Sequence, residues 1–324
     1  MEYITLQHSD LRVSRLCMGG CQMGAYGWGE VQEQELIDAV HTALDNGVNY
    51  FDTADTYGLG QSELTLGKAL GPNRKDVVIQ TKFGVKAGHG PTQYDNSPAY
   101  IRQALEDSLR RLHTDYVDVY VVHYWDGVTP PEEIVGELER QQEAGKLRYF
   151  GISNIPEERL PDWLPFRDKL VNAQYEFSLA CRTHEGQLDK TRELLGLTPV
   201  TWGSLGQGVL TGKYDAAAHF DSNDRRSRDV YVNFHGEKLR QNLRIVERLR
   251  EIAAVHDTPV AACAIRFILD YLKDSVVIAG VKRPEQMLSN LLAMDWSLTR
   301  EELSALNRLS VEVSYEAGKA LAAD

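Results

Sequence analysis

Compact apolar runs alternate along the chain with longer stretches in which apolar residues return at every third or fourth position. The short runs are rich in β-branched and aromatic residues, as buried strands are, whereas the longer stretches have the period of amphipathic helices. The eight strands predicted in this way are Arg15–Met18, Tyr50–Asp52, Val77–Lys82, Val117–Val122, Tyr149–Ser153, Leu170–Gln174, Val200–Trp202 and Val276–Ala279.

Five amphipathic helices are predicted between these strands, and several of their ends carry the expected capping residues. Ser97 precedes Pro98, so a capping hydroxyl stands before a proline at the first helical position. Gly47 and Gly145 supply the left-handed residue that commonly follows a helix. The predicted helices are Val31–Asn46, Ser62–Leu70, Pro98–Leu112, Pro131–Ala144 and Leu239–His256.

Strands that alternate with helices favour a parallel sheet covered on both faces, and the closed form of such a sheet is a (β/α)8 TIM barrel. A doubly wound sheet is the alternative, but the stretch MGGCQMGAYGWGE after the first strand lacks the G-x-G-x-x-G pattern of that fold. We therefore predict one barrel domain over residues 1–324, preceded by a short amino-terminal β-hairpin. The long polar segment 215–236 is interpreted as a loop over the barrel mouth.

Composition and charge exclude several classes of protein. With 324 residues, 43% of them hydrophobic, the chain can bury a large core. Its net charge of −12 is spread along the sequence, which argues against a nucleic-acid-binding surface and against adhesion to anionic membranes. The amino terminus has no signal-peptide pattern and no apolar run reaches the roughly 18 residues of a membrane span, so a cytoplasmic protein is expected. The four cysteines are expected to be reduced, and no metal site is predicted.

Polar residues interrupt three consecutive strands at the same end. Asp52, Lys82 and His123 end the second, third and fourth predicted strands, and Tyr57 follows Asp52 in the next loop. Active sites of TIM barrels lie at the carboxyl ends of the strands, so these four side chains are expected to meet there. A lysine at that depth needs a carboxylate partner, for which Asp52 is the natural candidate. Asp55, in the same loop, is expected to cap the turn or the next helix.

The four residues together suggest proton transfer. A lysine beside Tyr57 is expected to lower the pKa of its phenol, and His123 can orient a carbonyl group by a hydrogen bond. Each residue also has a structural interpretation when taken alone: a turn aspartate, a surface lysine, a core histidine and an aromatic side chain at the rim. Their common position favours a catalytic site.

The segments FDTADTYG, VVIQTKFG, DYVDVYVVHYW, YFGISN and TWGSLGQGVLTGKY occur in this order over essentially the whole chain. This set resembles the aldo-keto reductase superfamily, and most closely its bacterial and potassium-channel β-subunit branches. The resemblance implies a (β/α)8 fold, NADPH (NADP) bound without a Rossmann motif, and reduction of a small-molecule carbonyl by hydride and proton transfer.

The resemblance also implies roles for individual residues. Tyr57 matches the general acid, Lys82 and Asp52 the pair that tunes it, and His123 the residue that orients the carbonyl. Gly203 stands where serine is common and Ser289 where glutamate is common. The residues implied to bind the cofactor are Gly20, Ser153, Asn154, Gln174, Trp202, Gly203, Leu205, Gln207, Leu210, Lys213, Gly280, Lys282, Arg283, Gln286 and Asn290, and those near the substrate are Trp28, Tyr124 and Trp125.

Within the cofactor set, three roles are more specific. Ser153, Asn154 and Gln174 match residues that bind the nicotinamide carboxamide, and Trp202 matches the aromatic residue on which the ring stacks. Lys282 and Arg283 together favour the 2′-phosphate of NADPH over NADH.

Two other functions stay open from the sequence. One is an NADPH-binding regulatory or sensor subunit with little turnover, and the other is a metal-dependent barrel hydrolase that uses His123 and Asp52. A sugar or other polyol-type carbonyl is among the substrates that fit a polar, aromatic mouth. The arginines at 225, 226 and 228 are interpreted as part of a solvated loop, and the sequence leaves the oligomeric state open.

Overall fold

The computed structural model describes residues 1–25, 27–86 and 92–321. Parallel strands form a closed barrel in which each strand pairs with its neighbours along the chain and the last pairs with the first. This closure confirms the predicted TIM barrel and rules out the doubly wound sheet. The barrel strands are β1 (Leu16–Gly19), β2 (Tyr50–Asp52), β3 (Val78–Phe83), β4 (Val117–Val122), β5 (Leu147–Ser153), β6 (Leu170–Glu176), β7 (Thr198–Trp202) and β8 (Val276–Gly280).

Each predicted strand corresponds to a barrel strand, with its ends shifted by no more than one or two residues. Four helices were absent from the prediction, and one of them, Val260–Tyr271, is buried over most of its length. Val260–Tyr271 is apolar around nearly its whole circumference, so it lacks the polar face on which the prediction depended. The helices are α1 (Glu33–Asp45), α2 (Gln61–Leu70), α3 (Pro98–Leu112), α4 (Pro131–Glu143), α5 (Glu185–Leu195), α6 (Gly236–Val255), α7 (Val260–Tyr271), α8 (Pro284–Leu291) and α9 (Arg300–Leu321).

The amino-terminal hairpin covers one end of the barrel. Its strands Tyr3–Thr5 and Arg12–Ser14 pair antiparallel, as predicted. Leu6, Leu11 and Val13 pack with apolar side chains of the barrel interior into one buried cluster. A second, larger cluster lies between the barrel and its helices. Because the hairpin covers the amino ends of the strands, the carboxyl ends are left for the pocket.

The segment 215–236 is irregular apart from the short helical turns Arg225–Ser227 and Val232–Phe234. It reaches the loop that follows β1, because the Arg225 backbone N–H donates to the Gly27 carbonyl at 3.0 Å. Its arginines are not simply solvated: Arg226 forms an ion pair with the buried Asp224 at 2.6 Å. The expectation of a solvated loop was therefore wrong for this arginine. The single-domain assignment stays a prediction.

In the part of the chain that the structure describes, no single helix has the length and apolar character needed to cross a membrane. Among the described residues, only the consecutive helices α6 and α7 are together long and apolar enough, and the chain bends by 96° between them.

Candidate active site

Four polar side chains meet at the carboxyl ends of β2, β3 and β4. The buried Lys82 ammonium donates to the Asp52 carboxylate, with its Nζ 2.7 Å from Oδ2, and to the Thr53 carbonyl at 2.9 Å. The same Nζ lies 3.3 Å from the Tyr57 hydroxyl. The His123 ring meets the Tyr57 ring edge to face, with centroids 5.9 Å apart. The structure thus brings together the residues that the strand ends indicated.

A tight loop carries Tyr57 from β2 to this position. The Tyr57 backbone N–H donates to the Ala54 carbonyl at 3.2 Å, which closes a turn directly after the strand. Gly58 follows with a φ of +62°, and a Cβ at this position would overlap backbone atoms of Gly24. The loop after β2 therefore packs directly on the loop after β1, and only glycine satisfies both demands.

Gln80 is a member of this network that the sequence interpretation missed. Its Nε2 donates to Asp52 Oδ1 at 2.8 Å, and its Oε1 accepts hydrogen bonds from the Tyr50 hydroxyl at 2.7 Å and from Asn172 Nδ2 at 2.6 Å. A signal for it was present, because Gln80 lies two residues before Lys82 and alternate residues of a strand share a face. The Asp52 carboxylate therefore accepts hydrogen bonds both from Lys82 and from Gln80 in the barrel interior.

The electrostatics of Tyr57 differ from the expectation. Burial raises the pKa of its phenol well above the ordinary value, and the negative charge of Asp52 raises it further. The predicted lowering was wrong because it did not consider the burial of the hydroxyl, and because the Asp52 carboxylate at 2.6–2.7 Å neutralises the Lys82 charge. Tyr57 is therefore protonated at neutral pH.

His123 is a neutral imidazole in this site. Burial lowers its pKa well below the ordinary value, and the Lys82 charge acts in the same direction. Its Nδ1 is buried and has no hydrogen-bond partner among the described residues. A neutral ring beside Tyr57 can exchange hydrogen bonds with a bound oxygen without adding charge.

Asp55 does not cap the next helix, which was one of the two roles expected for it; a cap for the turn was the other. Helix α2 begins after Gly60 without a side-chain cap, and the Asp55 Oδ1 is buried with no hydrogen-bond partner among the described residues. Burial and the nearby Glu63 carboxylate raise the pKa of Asp55 to about 8. This loop thus holds one charged carboxylate, Asp52, and one carboxyl group that is mainly protonated at neutral pH.

A pocket of about 710 Å³ extends from these side chains across the mouth of the barrel. Most of the residues that the sequence assigned to catalysis, to cofactor binding or to substrate binding line this pocket. The assigned residues that line it are Trp28, Asp52, Tyr57, Lys82, His123, Tyr124, Ser153, Gln174, Trp202, Gly203, Leu205, Gln207, Lys213, Gly280, Lys282, Gln286 and Asn290.

Five assigned residues lie outside this lining. Trp125 packs beneath the Arg159 guanidinium and donates to the Thr129 carbonyl at 2.8 Å, so its indole points away from the pocket. Arg283 binds Glu35 on the protein surface at 3.2 Å.

The other three residues contact or neighbour residues that line the pocket without lining it themselves. Leu210 is fully buried, and the Gly20 N–H donates to the Asp52 carbonyl at 2.7 Å. Asn154 Nδ2 donates to the His123 carbonyl at 3.0 Å and to Ser153 Oγ at 2.9 Å. Asn154 and Gly20 therefore hold residues of the pocket in place.

Several lining residues were missed by the sequence interpretation. Cys21 and Gln22 follow β1, and Arg225, Arg226 and Tyr231 come from the segment 215–236. The first pair could have been inferred from its position just beyond a strand end. The other three belong to the segment interpreted as a loop over the barrel mouth, but which of its side chains reach the pocket depends on how the loop folds back.

The structure explains why glycine, and not the more common serine, occupies position 203. Its φ is +65°, and a Cβ there would lie 3.0 Å from the Glu176 side chain. Glu176 Oε1 accepts a hydrogen bond from Gln207 Nε2 at 3.0 Å, and Gln207 Oε1 accepts one from Asn233 Nδ2 at 2.5 Å. The glycine thus leaves room for the Glu176 carboxylate, which holds Gln207 in the loop after β7, and Gln207 in turn binds Asn233 of the segment 215–236. The side chain of Gln207 is engaged by protein partners.

The polar groups of the pocket suit an anionic dinucleotide. Both amide atoms of Gln174 are buried and without a hydrogen-bond partner among the described residues. At the other end of the pocket, burial and the nearby charge of Arg226 lower the pKa of Lys282; the Asp224 carboxylate acts in the opposite direction, and the Lys213 charge adds to the lowering. Such a cluster of cations in a protein of net charge −12 is a favourable site for phosphate groups.

The geometry gives no support to a metal centre of the kind a barrel hydrolase uses. Within residues 1–25, 27–86 and 92–321, no group of three or more histidine, cysteine, aspartate or glutamate side chains is arranged to hold a metal ion. Asp52, the carboxylate of that alternative, is paired with Lys82.

Comparisons with known proteins agree with this geometry. The sequence model of the Aldo/keto reductase family matches residues 15–311. The chain is 30% identical to aldo-keto reductase YhdN of Bacillus subtilis over 95% of its length and 93% of that protein. It is 31% identical to the aldo-keto reductase yakc [NADP(+)] of Schizosaccharomyces pombe, over 86% of this chain and 84% of that one.

A solved structure is similar over the same extent. The glycerol dehydrogenase AKR11B4 of Gluconobacter oxydans superposes with a TM-score of 0.84 at 30% identity, covering 95% of this chain and 94% of that one. At the open end of the closed barrel, the Lys82 ammonium contacts both the Asp52 carboxylate and the Tyr57 hydroxyl. The chain belongs to the aldo-keto reductase family, whose members generally use NAD(P)H and act on small-molecule carbonyl compounds.

Proposed function

We propose that this enzyme reduces an aldehyde or ketone to the alcohol with NADPH as the hydride donor and Tyr57 as the general acid. The observation that carries the proposal is the Lys82 ammonium, which contacts both the Asp52 carboxylate and the Tyr57 hydroxyl at the floor of the pocket. A proton donor and its charged neighbour thus face a space that can hold a reacting carbonyl.

The cofactor would lie along the pocket from Gln174 to Lys282. We assign Gln174 and Ser153 to the nicotinamide carboxamide, Trp202 to the face of the ring, and Lys213 and Lys282 to the phosphates, because all five side chains line the pocket. NADPH, when bound, supplies the hydride that reaches the carbonyl carbon. The cluster of cations around Lys282 supports NADPH over NADH, since the 2′-phosphate adds negative charge at that end.

The protein supplies the proton and the orientation. Because Tyr57 is protonated at neutral pH, it donates its hydroxyl proton to the carbonyl oxygen as negative charge develops there. The Lys82 ammonium, 3.3 Å from that hydroxyl, stabilises the phenolate that remains. Neutral His123 offers a hydrogen bond that fixes the oxygen near Tyr57. The same groups also serve the reverse oxidation, in which Tyr57 accepts the proton.

A polyol-type carbonyl is the narrower substrate proposal. It is supported by the similarity to a protein named a glycerol dehydrogenase and by the polar side chains around the pocket. A small hydroxylated aldehyde such as glyceraldehyde is the simplest representative.

The test is NADPH oxidation by the purified protein with a panel of sugar, keto-acid and aromatic carbonyls. Tyr57→Phe is expected to lower kcat by roughly 100- to 10,000-fold, the usual contribution of a general acid. The matched control is Tyr116→Phe, at the amino end of β4, which is expected to keep wild-type rates. Wild-type rates in Tyr57→Phe would show that another group donates the proton. NADPH binding without oxidation by any carbonyl would favour the sensor function instead.

A further inference from the structure

Three polar side chains form a hydrogen-bonded network inside the barrel, beneath the catalytic groups. They are Tyr50 on β2, Gln80 on β3 and Asn172 on β6, and all three are fully buried. Gln80 Oε1 accepts from the Tyr50 hydroxyl and from Asn172 Nδ2, and Asn172 Nδ2 also donates to the Tyr50 hydroxyl at 3.0 Å. We call these three residues the interior network.

The interior network contacts the catalytic centre through one amide group. Gln80 Nε2 donates to Asp52 Oδ1 at 2.8 Å. An inverted amide would set the Gln80 oxygen against the Asp52 carboxylate, acceptor against acceptor. The N–H of Gln80 is therefore directed at Asp52.

A glycine on the neighbouring strand makes room for this arrangement. A Cβ at Gly151, on β5, would lie 2.0 Å from Asn172 Oδ1. Asn172 thus occupies space that a side chain at position 151 would fill, and from there it reaches Gln80 Oε1 at 2.6 Å. The position of the Gln80 amide is fixed by strands on both sides of the barrel.

The Gln80 hydrogen bond acts on a carboxylate whose partner is shared with the proton donor. The Lys82 ammonium contacts the Asp52 carboxylate on one side and the Tyr57 hydroxyl on the other. A donor on a carboxylate holds it in place and takes up part of its negative charge. Without the Gln80 N–H, Asp52 would neutralise the ammonium more completely, and less positive charge would face Tyr57.

We propose that Gln80 is a positioning residue for carbonyl reduction, which acts on the chemical step through Asp52 and Lys82. The proposal rests on the proposed function, in which the Lys82 charge stabilises the phenolate of Tyr57. Gln80 is fully buried and lies outside the pocket lining, so it is not expected to contribute to binding of the substrate or of NADPH. Loss of its N–H should therefore slow the reaction and leave binding unchanged.

Gln80→Met removes the amide and keeps the length of the side chain. This variant is expected to lower kcat by roughly tenfold, the range of a hydrogen bond to a charged group. KM for the best carbonyl substrate should stay at the wild-type value, as should the Kd of NADPH measured by quenching of protein fluorescence.

The matched control is Gln141→Met on α4. Gln141 is also a buried glutamine, and its Nε2 donates to the buried Glu137 carboxylate at 2.7 Å. The control therefore removes a comparable hydrogen bond outside the barrel, and it is expected to keep the wild-type kcat. Thermal melting checks that each variant is folded.

Gln80→Glu separates the hydrogen-bond donor from the shape of the side chain. Its carboxyl group can still accept from Tyr50 and Asn172, but it can donate to Asp52 only when it is protonated. Burial and the Asp52 charge favour the protonated form, and the Lys82 charge opposes it. Relative to the wild type, kcat of Gln80→Glu is expected to be close to unity at pH 6 and roughly tenfold lower at pH 9.

The inference is overturned if folded Gln80→Met keeps the wild-type kcat, if Gln141→Met loses as much, or if the loss is confined to KM or to NADPH binding. Should Gln80→Met fail to fold, Gln80→Glu decides, and a relative kcat that does not change with pH overturns the inference. In each of these cases the wild type still reduces carbonyl compounds, so the proposed function stands. Absence of any carbonyl-dependent NADPH oxidation by the wild type would instead remove both.

Discussion

Asp55→Asn tests whether the loop after β2 holds a protonated carboxyl group. Asp55 lies three residues after the charged Asp52, and burial together with the Glu63 carboxylate raises its pKa from the ordinary 3.8 to about 8. In the unfolded chain the same group ionises near its ordinary value. Folding between pH 5 and pH 7 therefore takes up one proton at Asp55.

The sign and size of the effect follow from this proton. Because the pKa of Asp55 is higher in the folded protein than in the unfolded chain, the stabilisation from this group is fully present below its pKa in the unfolded chain. It is lost as the pH rises through the pKa of Asp55 in the folded protein. The free energy of unfolding falls by about 1.4 kcal/mol for each pH unit in that window. From pH 5 to pH 7 this amounts to roughly 2–3 kcal/mol from Asp55 alone. Asparagine keeps the shape of the protonated group but has no proton to lose.

Urea unfolding at pH 5, 6 and 7 measures the difference. The free energy of unfolding of Asp55→Asn, relative to the wild type, is expected to increase by about 2–3 kcal/mol across this range. Asp107→Asn is the matched control. Hydrogen bonds from Gln103 and Arg110 lower the pKa of Asp107 against the effect of its partial burial, so that group is ionised in both states throughout. A difference between Asp55→Asn and wild type that does not change with pH would refute the assignment of a protonated Asp55.

Two further predictions concern other parts of the fold. Gly58→Ala is expected to lower the melting temperature and kcat more than Gly127→Ala does, because both glycines have positive φ but only a Cβ at 58 overlaps Gly24; equal losses would contradict the close packing of the loops. Although burial opposes it, a backbone N–H and the His256 ring lower the pKa of Glu302. The stability from this carboxylate is present at neutral pH and is lost as the pH falls below its ordinary 4.5. Glu302→Gln should therefore cost up to about 1 kcal/mol at pH 7 and almost nothing near pH 3, as measured by urea unfolding, and a constant cost would contradict a stabilised carboxylate at this position.

Much of the catalytic centre could be predicted from residue positions along the chain. Asp52, Lys82 and His123 each interrupt an apolar run at the end of a strand, and parallel barrel strands bring such ends to one face. The lysine–carboxylate contact also follows from elementary energetics, since an ammonium at that depth requires a partner. The structure shows both features.

Other properties of the site follow from contacts between distant segments. The expected direction of the Tyr57 pKa was wrong because it considered one nearby charge and not the burial of the hydroxyl. Trp125 was expected at the substrate because it follows a strand, yet its indole bonds to the Thr129 carbonyl.

The sequence by itself determined the barrel, the order of its strands and the residues at their carboxyl ends, because strand period and chain order are local properties that a linear pattern carries. Only the tertiary structure decided which carboxyl group is charged, which aromatic rings face the pocket and how the segment 215–236 contributes to its wall. These depend on solvent exclusion and on contacts between residues far apart in the chain. Asp52 and Asp55 show the difference, since they are three positions apart in one loop and only their surroundings separate a paired carboxylate from a buried acid.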